Sequence, residues 1–120
     1  MERAIPILPT KDLAAARLFY VDRLGFHVTF EVSDDGHSGL LGVGRGTIEI
    51  TLDSPMQGHG QNACVALQVD DADDYYREWS SKVDVLRPPR DEEWGGARTF
   101  DLLDPSGNTI FVMGPATGAK

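Results

Sequence analysis

One carboxylate stands out among the side chains of this sequence that could perform chemistry. Glu49 stands between Ile48 and Ile50 in an alternating segment, so its side chain faces the side opposite the two isoleucines. If that side lines a cavity, the carboxylate needs a cation or a hydrogen-bond donor as partner, and it could act as a base. If that side faces solvent, Glu49 is an ordinary surface residue.

Cysteine and histidine, which can act as nucleophiles or bind metals, are few in this sequence. Cys64 is the single cysteine, and its position in an apolar run predicts a small buried residue. A lone cysteine cannot form an internal disulfide, which is consistent with a reducing compartment. His27, His37 and His59 follow a helix, lie in a turn and lie in a central loop, and we expect all three at the surface.

Composition limits the classes of function open to the chain. Its 120 residues are 41% hydrophobic and 25% charged, which is typical of a globular domain. A net charge of -8 argues against a nucleic-acid partner, because phosphate contact needs a basic surface. No apolar run approaches the ~20 residues of a membrane helix, and Pro6 and Pro9 interrupt the apolar N-terminus. We therefore expect a soluble, cytoplasmic protein without a membrane partner.

The elements that must position these residues repeat once along the chain. Residues 4–52 predict a strand, a helix with Thr10 as its N-cap and Gly25 as its end, and three strands that carry Phe30 and Leu40. Alternation places Phe30 on one face with Phe26, Val28 and Val32. The polar, glycine-bearing segment 53–62 predicts a linker.

Residues 63–113 predict the same order of elements. A strand precedes a helix that is capped by Asp70 and Asp71 and that buries Trp79. A short strand at 83–86, a loop at 88–96 that carries Trp94, and two closing strands with Phe100 and Phe111 follow. The chain is therefore expected to be an α+β domain of two βαβββ modules, each of which needs a partner to cover one sheet face.

Three groups of residues carry a resemblance to a known family. They are Lys11-Asp12-Leu13, the pair Phe19-Tyr20 followed by Leu24-Gly25-Phe26, and a late turn, Asp104-Pro105-Ser106-Gly107-Asn108, in which Gly107 or Asn108 can take a positive φ. With them the chain resembles the vicinal oxygen chelate superfamily of glyoxalases, extradiol dioxygenases and fosfomycin- and bleomycin-resistance proteins. The resemblance implies paired βαβββ modules whose eight strands form an open cup, in a homodimer.

The same resemblance assigns four metal-ligand positions, which hold Ile5, Glu49, Cys64 and Phe111 in this chain. Only Glu49 is of the usual ligand type, and a catalytic divalent ion needs about three protein ligands. The resemblance therefore implies no metal and no cofactor. It points to the bleomycin-resistance-protein-like branch, whose members sequester a drug without chemistry.

The predicted function is that of a metal-free, small-molecule binding protein that holds an antibiotic in a cleft. The drug would be aromatic and able to carry cationic groups, of which bleomycin is an example. The predicted ligand-binding residues are aromatic, apolar or acidic: Phe30, Leu40, Glu49, Trp94, Phe100 and Phe111. Trp94 could instead anchor its own loop, and the phenylalanines could instead fill the core. The alternative is a glyoxalase- or dioxygenase-like lyase or isomerase, metal-dependent or metal-free, that uses Glu49.

Overall fold

The computed structural model describes residues 2–54 and 62–116. The chain divides into two compact units, each built on its own four-stranded sheet. The first unit holds residues 1–63 together with Pro105–Asn108, and the second holds the remaining residues. Most of the predicted linker, residues 55–61, lies outside the described residues, as does His59.

The first unit forms one complete βαβββ module. Its elements are β1 (Ile7–Pro9), α1 (Leu13–Arg17) with a π-helical continuation (Leu18–Arg23), β2 (His27–Val32), β3 (Gly39–Arg45) and β4 (Ile48–Ser54). The sheet order is β1-β4-β3-β2, with β1 parallel to β4 and the other neighbours antiparallel.

The second unit repeats this arrangement. Its elements are β5 (Cys64–Gln68), α2 (Ala72–Trp79), β6 (Asp84–Asp91), β7 (Ala97–Leu103) and β8 (Thr109–Pro115). The order β5-β8-β7-β6, with β5 parallel to β8, matches the first sheet strand for strand. The α+β class and the two βαβββ modules are therefore confirmed. Asp71 caps α2 as predicted, since its Oδ1 accepts from the backbone N–H groups of Asp73 and Asp74.

The start of α1 differs from the prediction. Asp12, and not Thr10, is the N-cap, and its carboxylate accepts from the N–H of Ala14. The Thr10 hydroxyl instead lies 2.9 Å from that of Ser106. The N–H of Thr10 donates to the carbonyl of Asp53, which prolongs the pairing of β1 with β4. Because the backbone of Thr10 is held by this hydrogen bond to Asp53, Thr10 does not cap the helix.

The helical segment ends where the sequence predicts. Gly25 adopts a φ of +79°, the left-handed conformation common after a helix end. The last turn is wide, because the N–H of Leu24 donates to the carbonyl of Phe19 five residues earlier, at 3.0 Å. Arg45 donates to the freed carbonyl of Leu24 at 2.7 Å. No helix in the described ranges is long and apolar enough to cross a membrane.

Each module buries its apolar residues between its sheet and its helix. In the first module the buried sheet residues are Leu8, Leu41, Val43, Ile50 and Leu52. In the second, Trp79 of α2 is 0% exposed, as predicted for a core residue. Complete burial of one valine, leucine or isoleucine side chain stabilises the fold by about 1.5–3 kcal/mol. The buried residues therefore hold one face of each sheet against its helix.

A β-bulge makes the predicted alternation along β2 wrong. Val28 pairs with Val43, but Phe30 pairs with Gly42, so two steps on β2 match a single step on β3. The extra residue, Thr29, moves Phe30 and Val32 to the face opposite α1. A bulge leaves no mark in the polarity pattern, since the residues on both sides of it are apolar.

β6 is longer than predicted, because it includes residues expected in a loop. It runs to Asp91 through Pro88 and Pro89, with register shifts on both sides of Arg87. β6 is an edge strand, where a missing N–H can face away from the sheet. Proline therefore does not end this strand, and the loop that carries Trp94 shrinks to residues 92–96.

The β7–β8 turn clusters with the first unit. Gly107 takes the positive φ, at +85°, that the sequence assigned to Gly107 or Asn108. Asn108 is fully buried, and its amide nitrogen donates to the carbonyl of Pro9 at 2.8 Å. Its side-chain oxygen accepts from the N–H of Ala63 at 3.0 Å. The Asn108 side chain thus ties the turn to Pro9 and Ala63.

Candidate functional site

The face of the first sheet opposite α1, here called the outer face, gathers three of the predicted ligand-binding residues. Leu41 pairs with Leu52 and Val43 with Ile50, and these four buried residues define the helix side. Strand alternation places the intervening residues on the other side. The outer face therefore contains Ile7, Phe30, Val32, Leu40, Gly42, Gly44, Glu49, Thr51 and Asp53.

The outer face is unusually apolar for an uncovered surface. Ile7 is 49% exposed, Phe30 42% and Val32 62%, and Leu40, which pairs with Val32, lies partly exposed. Several exposed large apolar side chains on one face are typical of a surface that binds a ligand or another protein. Ile7 and Val32 were not among the predicted ligand-binding residues, although their place in strands next to buried neighbours could have indicated them.

Glu49 lies on the outer face, opposite the buried Ile50, as its position in the sequence predicts. Its carboxylate is 3.1 Å from the guanidinium of Arg3, and its side chain is one-third exposed (33%). The chain therefore supplies the cation that the carboxylate needs. Exchange of this exposed partner for a cationic ligand costs little, since an ion pair at the surface is weak.

The second sheet has its own outer face, the side opposite α2, and Phe111 lies on it. Phe111 pairs with Ala66 and Asp101, and it is partly exposed. Arg87 contacts Asp101 through two hydrogen bonds of 3.0 and 3.2 Å. The hydrogen bonds that Arg87 donates to Asp101 raise the pKa of the guanidinium above its ordinary value. Sequence reasoning missed this pair, although Asp101 between buried Phe100 and Leu102 shows that it faces away from the core.

Phe100 does not lie with the other predicted ligand-binding residues. It is 0% exposed, and its ring centre is 5.5 Å from that of Tyr76 on α2. It pairs with the buried Val112, so it belongs to the helix side of the second sheet. Of the two interpretations left open by the sequence, the structure places Phe100 in the core.

Trp94 projects from the loop between β6 and β7 and is 53% exposed. A shallow surface cavity of about 350 Å³ surrounds it, lined by Arg90, Asp91, Glu92 and Glu93. Arg90 is already occupied by Glu92 at 2.7 Å. The indole is thus presented among carboxylates, a setting in which aromatic rings contact cationic or planar groups.

The structure contradicts the prediction for the cysteine and agrees with the prediction for two of the histidines. Cys64 is exposed on the edge strand β5, so the expectation of a buried thiol is wrong. Alternation along β5 explains it, because Val65 and Leu67 take the helix side and leave Cys64 on the other. His27 and His37 lie at the surface, as predicted.

The four positions that the family resemblance assigns to a metal do not fit a divalent ion. Ile5 and Phe111 have no donor atoms, Cys64 is a single thiol, and Glu49 is paired with Arg3. Within residues 2–54 and 62–116, no three His, Cys, Asp or Glu side chains lie close enough together to hold an ion. The side chains present suit noncovalent contacts with an apolar or cationic guest.

Solved structures share this fold over nearly their whole length. A bleomycin-binding protein from bleomycin-producing Streptomyces verticillus, complexed with copper(II)-bleomycin, is 27% identical, with a TM-score of 0.77 over 95% of this chain and 96% of that one. A bleomycin resistance determinant encoded on the transposon Tn5 is 23% identical, with a TM-score of 0.79 over 96% and 98%. An antibiotic binding protein from Streptomyces sp. CB03234 is 23% identical, with a TM-score of 0.75 over 97% and 98%.

The sequence places the chain in the same family. We found no match among proteins with curated descriptions. The model of the Glyoxalase/Bleomycin resistance protein/Dioxygenase superfamily, however, matches residues 4–112. That range includes both modules and all six predicted ligand-binding residues. The chain therefore belongs to the Glyoxalase/Bleomycin resistance protein/Dioxygenase superfamily.

Proposed function

We propose that this chain is a binding protein that sequesters an aromatic antibiotic able to carry cationic groups, without a metal and without chemistry. The observation that carries the proposal is the set of exposed or partly exposed apolar side chains of Phe30, Val32 and Leu40 on the outer face of the first sheet, which also holds the Glu49 carboxylate. The 27% identical structural relative is a bleomycin-binding protein, which supports a drug of that type.

The chemistry of these residues suits such a guest. An apolar patch with a few polar groups is the usual composition of a small-molecule site. Glu49 and the carboxylates around Trp94 can face cationic groups of the drug, and the net charge of -8 favours its approach. Phe111 offers a second aromatic ring on the other sheet.

We further propose that the protein acts as a homodimer in the cytoplasm. A second copy of the chain would cover the exposed residues of the outer face and complete a cleft for the drug. Exposed large apolar side chains gathered on one sheet face favour such a contact with another protein. A cytoplasmic location would keep the exposed Cys64 thiol reduced.

A fluorescence titration with metal-free bleomycin tests the proposal. Trp79 is 0% exposed and Trp94 is 53% exposed, so a ligand-dependent change should come from Trp94. We expect the change to saturate at one drug molecule per chain. Trp94→Phe should abolish the signal while calorimetry still detects binding. Absence of binding in both measurements at high micromolar drug would remove bleomycin as the ligand.

The enzymatic alternative rests on Glu49 and has its own test. As a general base, Glu49 would have to leave Arg3 and meet a substrate proton. As a metal ligand, it would bring a stoichiometric ion with it. Elemental analysis of the purified protein should find no stoichiometric zinc, nickel, manganese or iron. One such ion per chain, lost in Glu49→Gln, would contradict the binding-protein proposal.

A further inference from the structure

The Phe30 ring occupies a position on the outer face that only a glycine opposite it permits. The bulge at Thr29 brings Phe30 directly across from Gly42 on β3. A Cβ built on Gly42 would lie 2.3 Å from both Cδ1 and Cε1 of Phe30, closer than the 3.0 Å below which real Cβ atoms are essentially never found. The ring therefore rests where the side chain of any other residue would begin.

The neighbouring glycine on the same face does not perform this role. Gly44 is two residues along β3, so it also faces outward. A Cβ there would meet Thr29 Cγ2 at 3.1 Å and does not reach the Phe30 ring. Neither Gly42 nor Gly44 has a positive φ, so the backbone at both positions accepts alanine without strain. A Cβ on Gly42 would also meet Thr29 Oγ1, at 2.5 Å, so both positions touch Thr29 and they differ in the contact with the Phe30 ring.

We propose that Gly42 is a positioning residue that seats the Phe30 ring against the sheet, and that the seated ring is the platform on which a planar aromatic group of the ligand stacks. This inference rests on the proposed function. Phe30 is 42% exposed, so the ring has an open side while its inner edge contacts Gly42. A ring held in place loses little conformational freedom when a ligand binds, which favours affinity.

A measurement without ligand tests the seat. The ring current shifts a nearby proton downfield at the edge of the ring and upfield over its face, so the Hα resonances of Gly42 should be displaced from those of Gly44. Phe30→Leu should remove this shift and leave the other resonances of the sheet in place. Ordinary Gly42 Hα positions in the wild-type protein would overturn the seat.

A titration with metal-free bleomycin tests the platform. We expect Gly42→Ala to displace the ring and weaken binding about tenfold, and Phe30→Leu to do the same, because each removes one stacking contact. Phe30→Tyr keeps the ring and should bind like the wild type. Gly44→Ala adds the same methyl group to the same face without reaching the ring, and it should weaken binding less than Gly42→Ala. Gly42→Ala should add nothing in the Phe30→Leu background.

The outcomes separate the two proposals. Failure of the wild-type protein to bind bleomycin removes bleomycin as the ligand and overturns the role of Phe30 as the platform on which it stacks. Normal binding by Gly42→Ala, with the wild type binding well, overturns the positioning role alone. If Gly42→Ala and Phe30→Leu lower the melting temperature but leave the affinity unchanged, the ring merely covers a glycine in the sheet, and the platform is wrong.

Discussion

Asn108 belongs to the motif through which the sequence resembled its family, and its role in this structure is to hold a turn. Its amide satisfies the carbonyl of Pro9 and the N–H of Ala63. Gly107 completes the turn, since a Cβ there would lie 2.6 Å from the Asn62 side-chain oxygen. A polar side chain that is 0% exposed and that donates and accepts hydrogen bonds to backbone groups is a structural residue rather than a reactive one.

We expect Asn108→Ala to destabilise the protein. The substitution leaves the carbonyl of Pro9 and the N–H of Ala63 without their partner, so the free energy of unfolding should fall by about 1–3 kcal/mol. Urea denaturation followed by circular dichroism measures the change. Thr47→Ala, at an exposed hairpin position, is the control and should change stability by less than about 0.5 kcal/mol. Equal stability of the two variants would contradict a structural role for Asn108.

The side each residue faces could be predicted from the sequence for single strands, but not whether that side is covered. Alternation correctly placed Glu49 opposite Ile50. It did not distinguish Phe100, which faces α2, from Phe111, which faces outward, because both are aromatic residues in strands. The prediction that Cys64 is buried failed for the same reason. Burial depends on which face meets the helix, and that is a tertiary property.

At the scale of elements, the loop between β2 and β3 is fastened to the start of α1. The Nδ1 atom of His37 is 2.7 Å from Asp12 Oδ1, the oxygen that also caps the helix. The N–H of Leu13 donates to the carbonyl of His37 at 2.9 Å. Backbone N–H groups of Ser38 and His37 hold the Asp35 carboxylate and lower its pKa to about 2. Loop and helix therefore share one hydrogen-bond network.

This network should make stability depend on pH in a defined window. The hydrogen bond with Asp12 raises the pKa of His37 above 6.5, and the same bond lowers the pKa of Asp12 below 3.8. The histidine contribution is complete below pH 6.5 and is lost as the pH rises through the raised pKa of His37. The aspartate contribution is lost as the pH falls through the lowered pKa of Asp12.

An NMR titration of the histidine ring protons checks this expectation. The pKa of His37 should exceed the ordinary histidine value, and Asp12→Asn should lower it, because the variant removes the negative partner. A His37 titration that Asp12→Asn leaves unchanged would show that the contact does not form in solution.

The elements that the sequence predicted least well are edge strands. β2 and β6 lie at sheet edges, and both carry irregular pairing. An edge strand has a partner on one side alone, so it tolerates a bulge or a proline that a central strand would exclude. The polarity pattern carries no trace of that tolerance, whereas the central strands β3 and β4 follow the expected alternation.

At the scale of the whole molecule, the repeat of two modules was the part of the fold most accessible from sequence. The order strand, helix and three strands appears twice because each helix needs an apolar sheet face to bury its own stripe. For the candidate site, only the types of the residues could be predicted from the sequence. The outer face became visible when strand register separated Phe30 and Val32 from the core residues next to them.

A second copy should cover that face in solution. We expect light scattering at micromolar concentration to give twice the chain mass of 13.1 kDa. Ile7→Asp, on the outer face, should shift the mass toward the monomer, because a carboxylate would have to be buried at the contact. Leu18→Asp is the control, since Leu18 on the helical segment is 49% exposed, the same fraction as Ile7. A wild-type monomer, or equal effects of both variants, would contradict the proposed dimer.

One buried indole and one exposed indole give this protein two chromophores that report different events. Trp79 is 0% exposed. Its emission should therefore be blue-shifted, and acrylamide should not quench it until the second module unfolds. The emission of Trp94 should be red-shifted and quenched in the native state. A single spectrum therefore records unfolding at one wavelength and occupancy of the loop at another, without an attached dye.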